Sequence, residues 1–256
     1  MKKSMFALAA AAVLSTLPVA SYADDMFAFN VGAVSDYRYR GISQSRLKPA
    51  LQGGVDATLP GGFYVGTWAS TIKWIEDTGT VLGFDAGNAN VEIDLYGGYK
   101  QEIVKDLSFD VGVLQYWYPK NKLGDAPLGA FKNANTTELY GALTYGPATL
   151  KYSHALSNTF GNPDSKNSYY LDLSATFEGP WGLTFTPHVG RQKIKGPYDP
   201  VATYTDYSVS VAKEVVKGLT VSLSAVGTDA DDTWYVTPAG KFTGKKAAVL
   251  GVKYAF

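Results

Sequence analysis

Short runs of strict apolar–polar alternation recur along the whole chain, and few folds accommodate them. From Val91 to Lys100, one face carries Val91, Ile93, Leu95, Gly97 and Tyr99, and the other Glu92, Asp94, Tyr96, Gly98 and Lys100. Residues two apart share a face only in an extended strand, and no helical period fits this segment. Residues 27–40 repeat the pattern, with Phe27, Phe29, Val31, Ala33, Tyr37 and Tyr39 against Asn30, Gly32, Asp36, Arg38 and Arg40. So do residues 50–59, 107–118, 138–145, 170–178, 219–226 and 248–256. Weaker alternation marks strands near 63–74, 148–157, 183–194 and 204–215. In the first of these, Val65 and Ala69 compete with Tyr64 and Trp68 for the apolar face, so the register stays open.

The connections take turns in length. Short ones fall at Pro60–Gly62, Glu102–Asp106, Gly146–Pro147, Gly179–Gly182 and Val216–Gly218. Long ones fall near 41–48, 77–88, 119–134, 158–167, 195–203 and 229–245. Twelve strands joined this way predict consecutive hairpins with tight turns at one end and loops at the other. Glycine, 27 in all, supplies the punctuation.

Alternation alone also describes a soluble sandwich, whose apolar face turns inward. Three features point it outward. Most segments approach the ~9–11 residues a tilted strand needs to cross hydrocarbon. Aromatics gather at the ends of the apolar stripes, as at membrane interfaces. At one end are Phe27, Phe29, Tyr99, Phe109, Tyr145, Phe177, Phe185, Tyr254 and Phe256; at the other are Tyr37, Tyr39, Trp117, Tyr169 and Tyr207. Third, Glu92, Asp94, Asp110, Glu138, Lys151 and Asp172 lie mid-strand on the polar face. A Lys or Arg facing lipid at the midplane costs roughly 2–4 kcal/mol and a carboxylate somewhat less, so six such groups require a wet interior.

At the N-terminus, Lys2 and Lys3 precede an apolar run from Met5 to Leu14, and Ser21-Tyr22-Ala23 follows. This reads as a secretory leader over 1–23, cut before Asp24. The apolar run is too short to span a bilayer as a helix. There is no Cys, which excludes a disulfide framework and a lipid-anchored cysteine. With 23 basic and 23 acidic residues, no basic surplus points to nucleic acid. The expected fold is a single domain over 24–256, an all-β transmembrane antiparallel up-and-down barrel of about twelve strands. Tyr254 and Phe256, third-last and last, resemble the terminal signal read by the barrel-assembly machinery of outer-membrane proteins.

Several stretches carry a family resemblance. They are Val34-Ser35-Asp36-Tyr37-Arg38-Tyr39-Arg40-Gly41-Ile42-Ser43-Gln44-Ser45, Pro49–Gly54, Gly62–Ser70 and Val91–Tyr99. Together they resemble the TorF-type family of outer-membrane porins. The resemblance implies an outer-membrane barrel with channel activity, and it carries over no catalytic residue.

Chemical motifs are scarce. Two His, His154 and His188, and no Cys make a His/Cys metal cage improbable, and no cofactor-binding fingerprint is present. His154 shares parity with Leu150 and Leu156, which puts it on the lipid face, where a lipid hydrolase would carry its base; an interfacial His is the plainer reading. Asp36, Arg38 and Arg40 share the polar face of the first strand. They read as a charge ring that sets selectivity, or as a salt-bridge ladder with Asp56 on the next strand. Glu92, Asp94 and Glu138 lack calcium-loop spacing. The lumen-lining candidates are Asp36, Arg38, Arg40, Asp56, Glu92, Asp94, Lys100, Asp110, Glu138, Lys151, Asp172 and Lys253.

A twelve-stranded barrel lies between filled eight-stranded and open sixteen-stranded ones, so its lumen either passes small polar or ionic solutes or is blocked by an inward-folded loop. Loops 119–134 and 229–245 are the candidate plugs. The function expected is diffusion of small polar solutes across the outer membrane, with lipids and the assembly machinery as partners. The alternatives are a structural or surface-binding barrel and, further off, a lipid hydrolase.

Overall fold

A computed structural model describes residues 26–256; the leader read at 1–23 lies outside the described residues. The barrel strands are β1 Phe27–Val34, β2 Ala50–Thr58, β3 Phe63–Thr71, β4 Val91–Val104, β5 Leu107–Trp117 and β6 Thr136–Tyr145. They continue with β7 Ala148–Ala155, β8 Tyr169–Ala175 with Phe177–Glu178, β9 Leu183–Lys193, β10 Tyr204–Val216, β11 Leu219–Thr228 and β12 Ala247–Ala255. The two segments of β8 both pair with β9 and form one stave. Every strand pairs antiparallel with its chain neighbours, and β1 pairs with β12, so the sheet closes as a twelve-stranded up-and-down barrel. Closure leaves no strand edge to satisfy in lipid. Helix α1, Trp74–Leu82, lies in the loop after β3, and the short α2, Asp199–Ala202, lies in the loop after β9.

The barrel is inside out. Leu51 (68 % exposed), Leu223 (55 %) and Leu250 (52 %) face outward, while Asp110, Glu138 and Asp206 are buried within. No aqueous fold leaves so regular a belt of large apolar side chains uncovered, because monomers rarely expose contiguous apolar patches beyond a few hundred Å². Among the described residues no helix is long and apolar enough to cross a membrane.

The register of β3 is settled by what its side chains meet. Tyr64, Trp68 and Ser70 point inward and are buried, while Phe63 and Val65 face out. Tyr64 OH donates to Asp110 Oδ1 at 2.5 Å, which repays burial of the phenol. At the turn end the aromatics form a girdle: Phe29 stacks on Phe256, and Tyr99 contacts both Phe63 and Phe109. At the loop end Trp117 and Tyr207 face outward and Tyr152 packs on Tyr169. Tyr37 and Tyr39, expected in that belt, are buried in the lumen instead.

That difference has one cause. The first strand, expected over 27–40, ends at Val34. Ser35 N still donates to Leu250 O, and then the chain turns into the barrel. Arg38–Tyr39 pairs with Ile42–Ser43 in a separate two-stranded sheet, an inner hairpin. Its two-residue turn, Arg40-Gly41, has φ of 45° and 79°, the positive values a type I′ turn requires at both central positions.

Candidate functional site

The inner hairpin organises the lumen. Asp36 anchors its base: Arg38 Nε donates to Asp36 Oδ2 at 2.6 Å, and Ser43 Oγ to Asp36 Oδ1 at 2.5 Å. Arg38 Nη1 also donates to Gly41 O and to Thr243 O, at 2.9 and 2.7 Å. The guanidinium therefore ties the hairpin to the loop before β12. At the tip, Arg40 reaches the far walls. Its Nη2 donates to Glu138 Oε2 on β6 at 2.7 Å and its Nη1 to Gln192 Oε1 on β9 at 2.5 Å. Its guanidinium lies 4.2 Å from the Tyr170 ring centroid on β8. Arg is suited to such a seat because its planar fork serves two acceptors while its face stacks on an aromatic ring.

The tyrosines complete the seat. Tyr37 OH donates to Glu92 on β4, and the Tyr39 and Tyr116 hydroxyls are bonded at 2.7 Å. With Trp68, Leu114, Tyr118 and Leu123 they build a packed cluster inside the loop-end half of the lumen, against β3 to β6. The wall opposite, from β8 to β11, is different. It presents Ser174, Ser208, Ser210, Ser222 and Ser224, with the Ser210 and Ser224 hydroxyls 2.7 Å apart. The aromatic rings and the hairpin thus fill the loop-end half, where the hairpin also meets Tyr170, Gln192 and Asp206 on β8 to β10, and the short hydroxyl side chains line this wall nearer the turn end.

Outside the strands, the hairpin's base is latched to α1. Arg46 bonds Asp77 and lies 3.4 Å from Glu76, while Lys73 Nζ sits 2.5 Å from Glu76. The Lys73 hydrogen bond holds the Glu76 carboxyl below its usual range. Burial pushes the Asp77 carboxyl up, against the pull of Arg46.

The sequence-derived candidates divide into groups. Asp36, Arg38 and Arg40 belong to the inner hairpin, not to the polar face of β1 as the alternation suggested. The ladder between them and Asp56 does not form, since Asp56 accepts from Tyr96 OH at 2.5 Å and Arg38 takes Asp36. Glu138 meets the hairpin tip through Arg40 and Glu92 meets its base through Tyr37, and both, like Asp94, are at most 4 % exposed. Lys100 faces Asp110 across β4 and β5, and Lys151 faces Asp172 across β7 and β8. Lys151 Nζ also lies 4.4 Å from the Tyr140 ring centroid. Lys253 lies opposite Gly32 on β1 and Thr220 on β11. Both predicted plug loops contribute to the packing around the inward-folded segment, 119–134 through Leu123 and Ala134 and 229–245 through Ala230, Tyr235 and Phe242, but neither is that segment itself. It is the hairpin, which the second of these loops braces through Thr243.

Three functional groups escaped the sequence reading: His188, Asp206 and Gln192. His188 Nε2 lies 2.5 Å from Asp172 Oδ2 and 3.0 Å from Tyr170 OH, which donates to Asp206 Oδ2 at 3.0 Å. The available signal was parity, since His188 and Gln192 share the inward face of β9 with Thr184 and Thr186. His154 is outward, near the loops, with ring nitrogens engaged by Tyr152 OH and Asn167 Oδ1, each at 3.1 Å. Among the described residues its hydrogen-bond partners are a phenol and an amide, not the serine and carboxylate of a triad.

Gly41 is the position that leaves the hairpin least freedom. Its φ is positive, and a Cβ there would come within 2.4 Å of Thr228 Cγ2 and 2.7 Å of Asp206 Cβ. Gly41→Val is therefore expected to unseat the hairpin while leaving the barrel folded. Limited proteolysis of detergent-solubilised protein should then cut within 35–49, and resistance equal to the native chain would refute the seating.

Comparison with known proteins agrees with this geometry. Among solved structures, the KdgM porin in complex with disordered oligogalacturonate superposes with a TM-score of 0.53 at 8 % identity, covering 90 % of this chain and 98 % of that one. The NanC porin superposes with a TM-score of 0.53 at 10 % identity over the same shares. At such identities the likeness is one of fold. No curated protein matches the chain. One family model matches residues 20–256, nearly the whole chain, and on that match the protein belongs to the bacterial family of unknown function designated Gcw_chp.

Proposed function

We propose that this chain is an exported outer-membrane channel through which small polar solutes diffuse, as in the TorF-type porins its motifs resemble. The observation that carries the reading is the uneven lumen: rings and hairpin fill the loop-end half, while nearer the turn end the hydroxyl-bearing Ser208, Ser210, Ser222 and Ser224 line the wall of β10 and β11. A barrel that served only as a scaffold would gain stability from large side chains on every inner position, because filled interiors recover dispersion contacts that gaps forfeit. Short polar side chains along one wall favour water and a path for solutes. The charged candidates Asp56, Lys100, Asp110, Lys151, Asp172 and Lys253 alternate in sign around the barrel wall, on β2, β4, β5, β7, β8 and β12, and we assign them to tuning which ions pass. Export by the leader at 1–23, and recognition of Tyr254 and Phe256 by the assembly machinery, belong to the same proposal. The reading includes no enzymatic step.

Planar-bilayer recording tests it. The purified full chain is expected to insert and give discrete conductance steps with ohmic current at low voltage. A barrel that is folded by gel mobility and yet electrically silent over many insertions would refute the channel.

A further inference from the structure

The outer wall is not uniform. Across β8 to β12 a groove of about 990 Å³ indents the lipid-facing surface. Its floor is made of Ala175, Ala225 and Ala248, and its sides of Leu173, Val189 and Val209. The groove follows the pairing direction, Leu173 to Val189 and Val209 to Ala225 to Ala248. Because barrel strands tilt by roughly 35–45°, a line across them runs obliquely through the hydrocarbon. The loop end of this line is Lys246, which is exposed and makes no hydrogen bond or ion pair with any described residue. Beside it, Tyr207 lies flat over Gly227, where a Cβ would come within 2.8 Å of the ring, and so closes the groove toward the interface. Of the cations nearby, Arg191 Nη1 bonds Thr205 and lies 3.8 Å from Asp229, and Lys193 bonds Asp199, while the side chain of the adjacent Lys245 is exposed. Lys246 is thus an unmatched cation standing at the outer interface over an apolar trough.

We propose that this groove binds an outer-leaflet lipid with several acyl chains and a phosphorylated headgroup. The phosphate sits on Lys246 and the chains lie on the alanine floor. An ammonium is a sound point-charge partner for phosphate, and the matching of trough to chains and cation to anion selects a lipid over a protein partner. The inference rests on the outer-membrane reading but does not require conduction.

The test uses the full chain purified in lipid-free detergent, with native mass spectrometry as the readout and hexa-acylated, doubly phosphorylated lipid A as the probe. The native chain is expected to retain lipid A in preference to its dephosphorylated form and to phosphatidylglycerol. Lys246→Glu should weaken retention about fivefold or more, the loss of one basic contact near a charged surface. Ala225→Trp/Ala248→Trp fills the trough without changing charge and should abolish retention. Retention of lipid A by both variants at the native level, or of phosphatidylglycerol as tightly as lipid A, would overturn the site. Conductance recorded on the same preparations separates the two proposals. A silent native barrel with retention that depends on Lys246 and the trough refutes the channel alone, and a conducting barrel with indiscriminate lipid retention refutes the groove alone.

Discussion

Arg40→Ala should give larger single-channel steps than the native chain. The Arg40–Glu138 pair is almost fully buried, with side chains 1 % and 2 % exposed. Truncating one partner of such a pair strands the other charge and typically costs ~3–5 kcal/mol. Here that cost falls on the seated hairpin, because the barrel's own ladder runs through other backbone groups. About 3 kcal/mol corresponds to roughly a hundredfold shift between seated and released hairpin. Released, residues 35–49 leave the part of the lumen they fill, and the cross-section open to ions grows. Glu138→Gln keeps an acceptor for Arg40 and should fall between the two. Steps of native size in Arg40→Ala, from protein whose gel mobility is native, would mean the hairpin does not limit the passage.

The second large effect is an asymmetry between the faces of the wall. Val111, 45 % exposed near the middle of β5, faces outward. Val111→Arg should destabilise the barrel by about 2–4 kcal/mol, the cost of a guanidinium in the hydrocarbon midplane. Ser210→Lys, which places a cation on the hydroxyl wall of β10, should cost far less, since its ammonium meets water. It should also shift reversal potentials toward anions. Urea unfolding in lipid vesicles measures the first difference and bi-ionic potentials the second. Equal destabilisation by the two substitutions would mean that the outer face does not meet lipid, and the membrane reading would fall.

By itself, the sequence determined the number of strands, the alternation of turns and loops, and which face is apolar in every strand but β3. These follow from local periodicity, because successive side chains in any strand point to opposite sides. Val91–Lys100 shows it plainly: Leu95 is outside and Glu92, Asp94 and Tyr96 are buried inside. Tertiary structure alone decided the inner hairpin. Asp36, Arg38 and Arg40 keep a two-residue period whether the chain continues as a barrel strand or doubles back as a hairpin. Only partners far along the chain distinguish the cases: Glu138 for Arg40, 98 residues away, and Thr243 for Arg38, 205 residues away. The same holds for Tyr64, whose inward register is set by Asp110, and for His188, whose carboxylates come from the strands on either side. Periodicity names a face, but which residues meet across the lumen depends on where the closed sheet brings distant strands together.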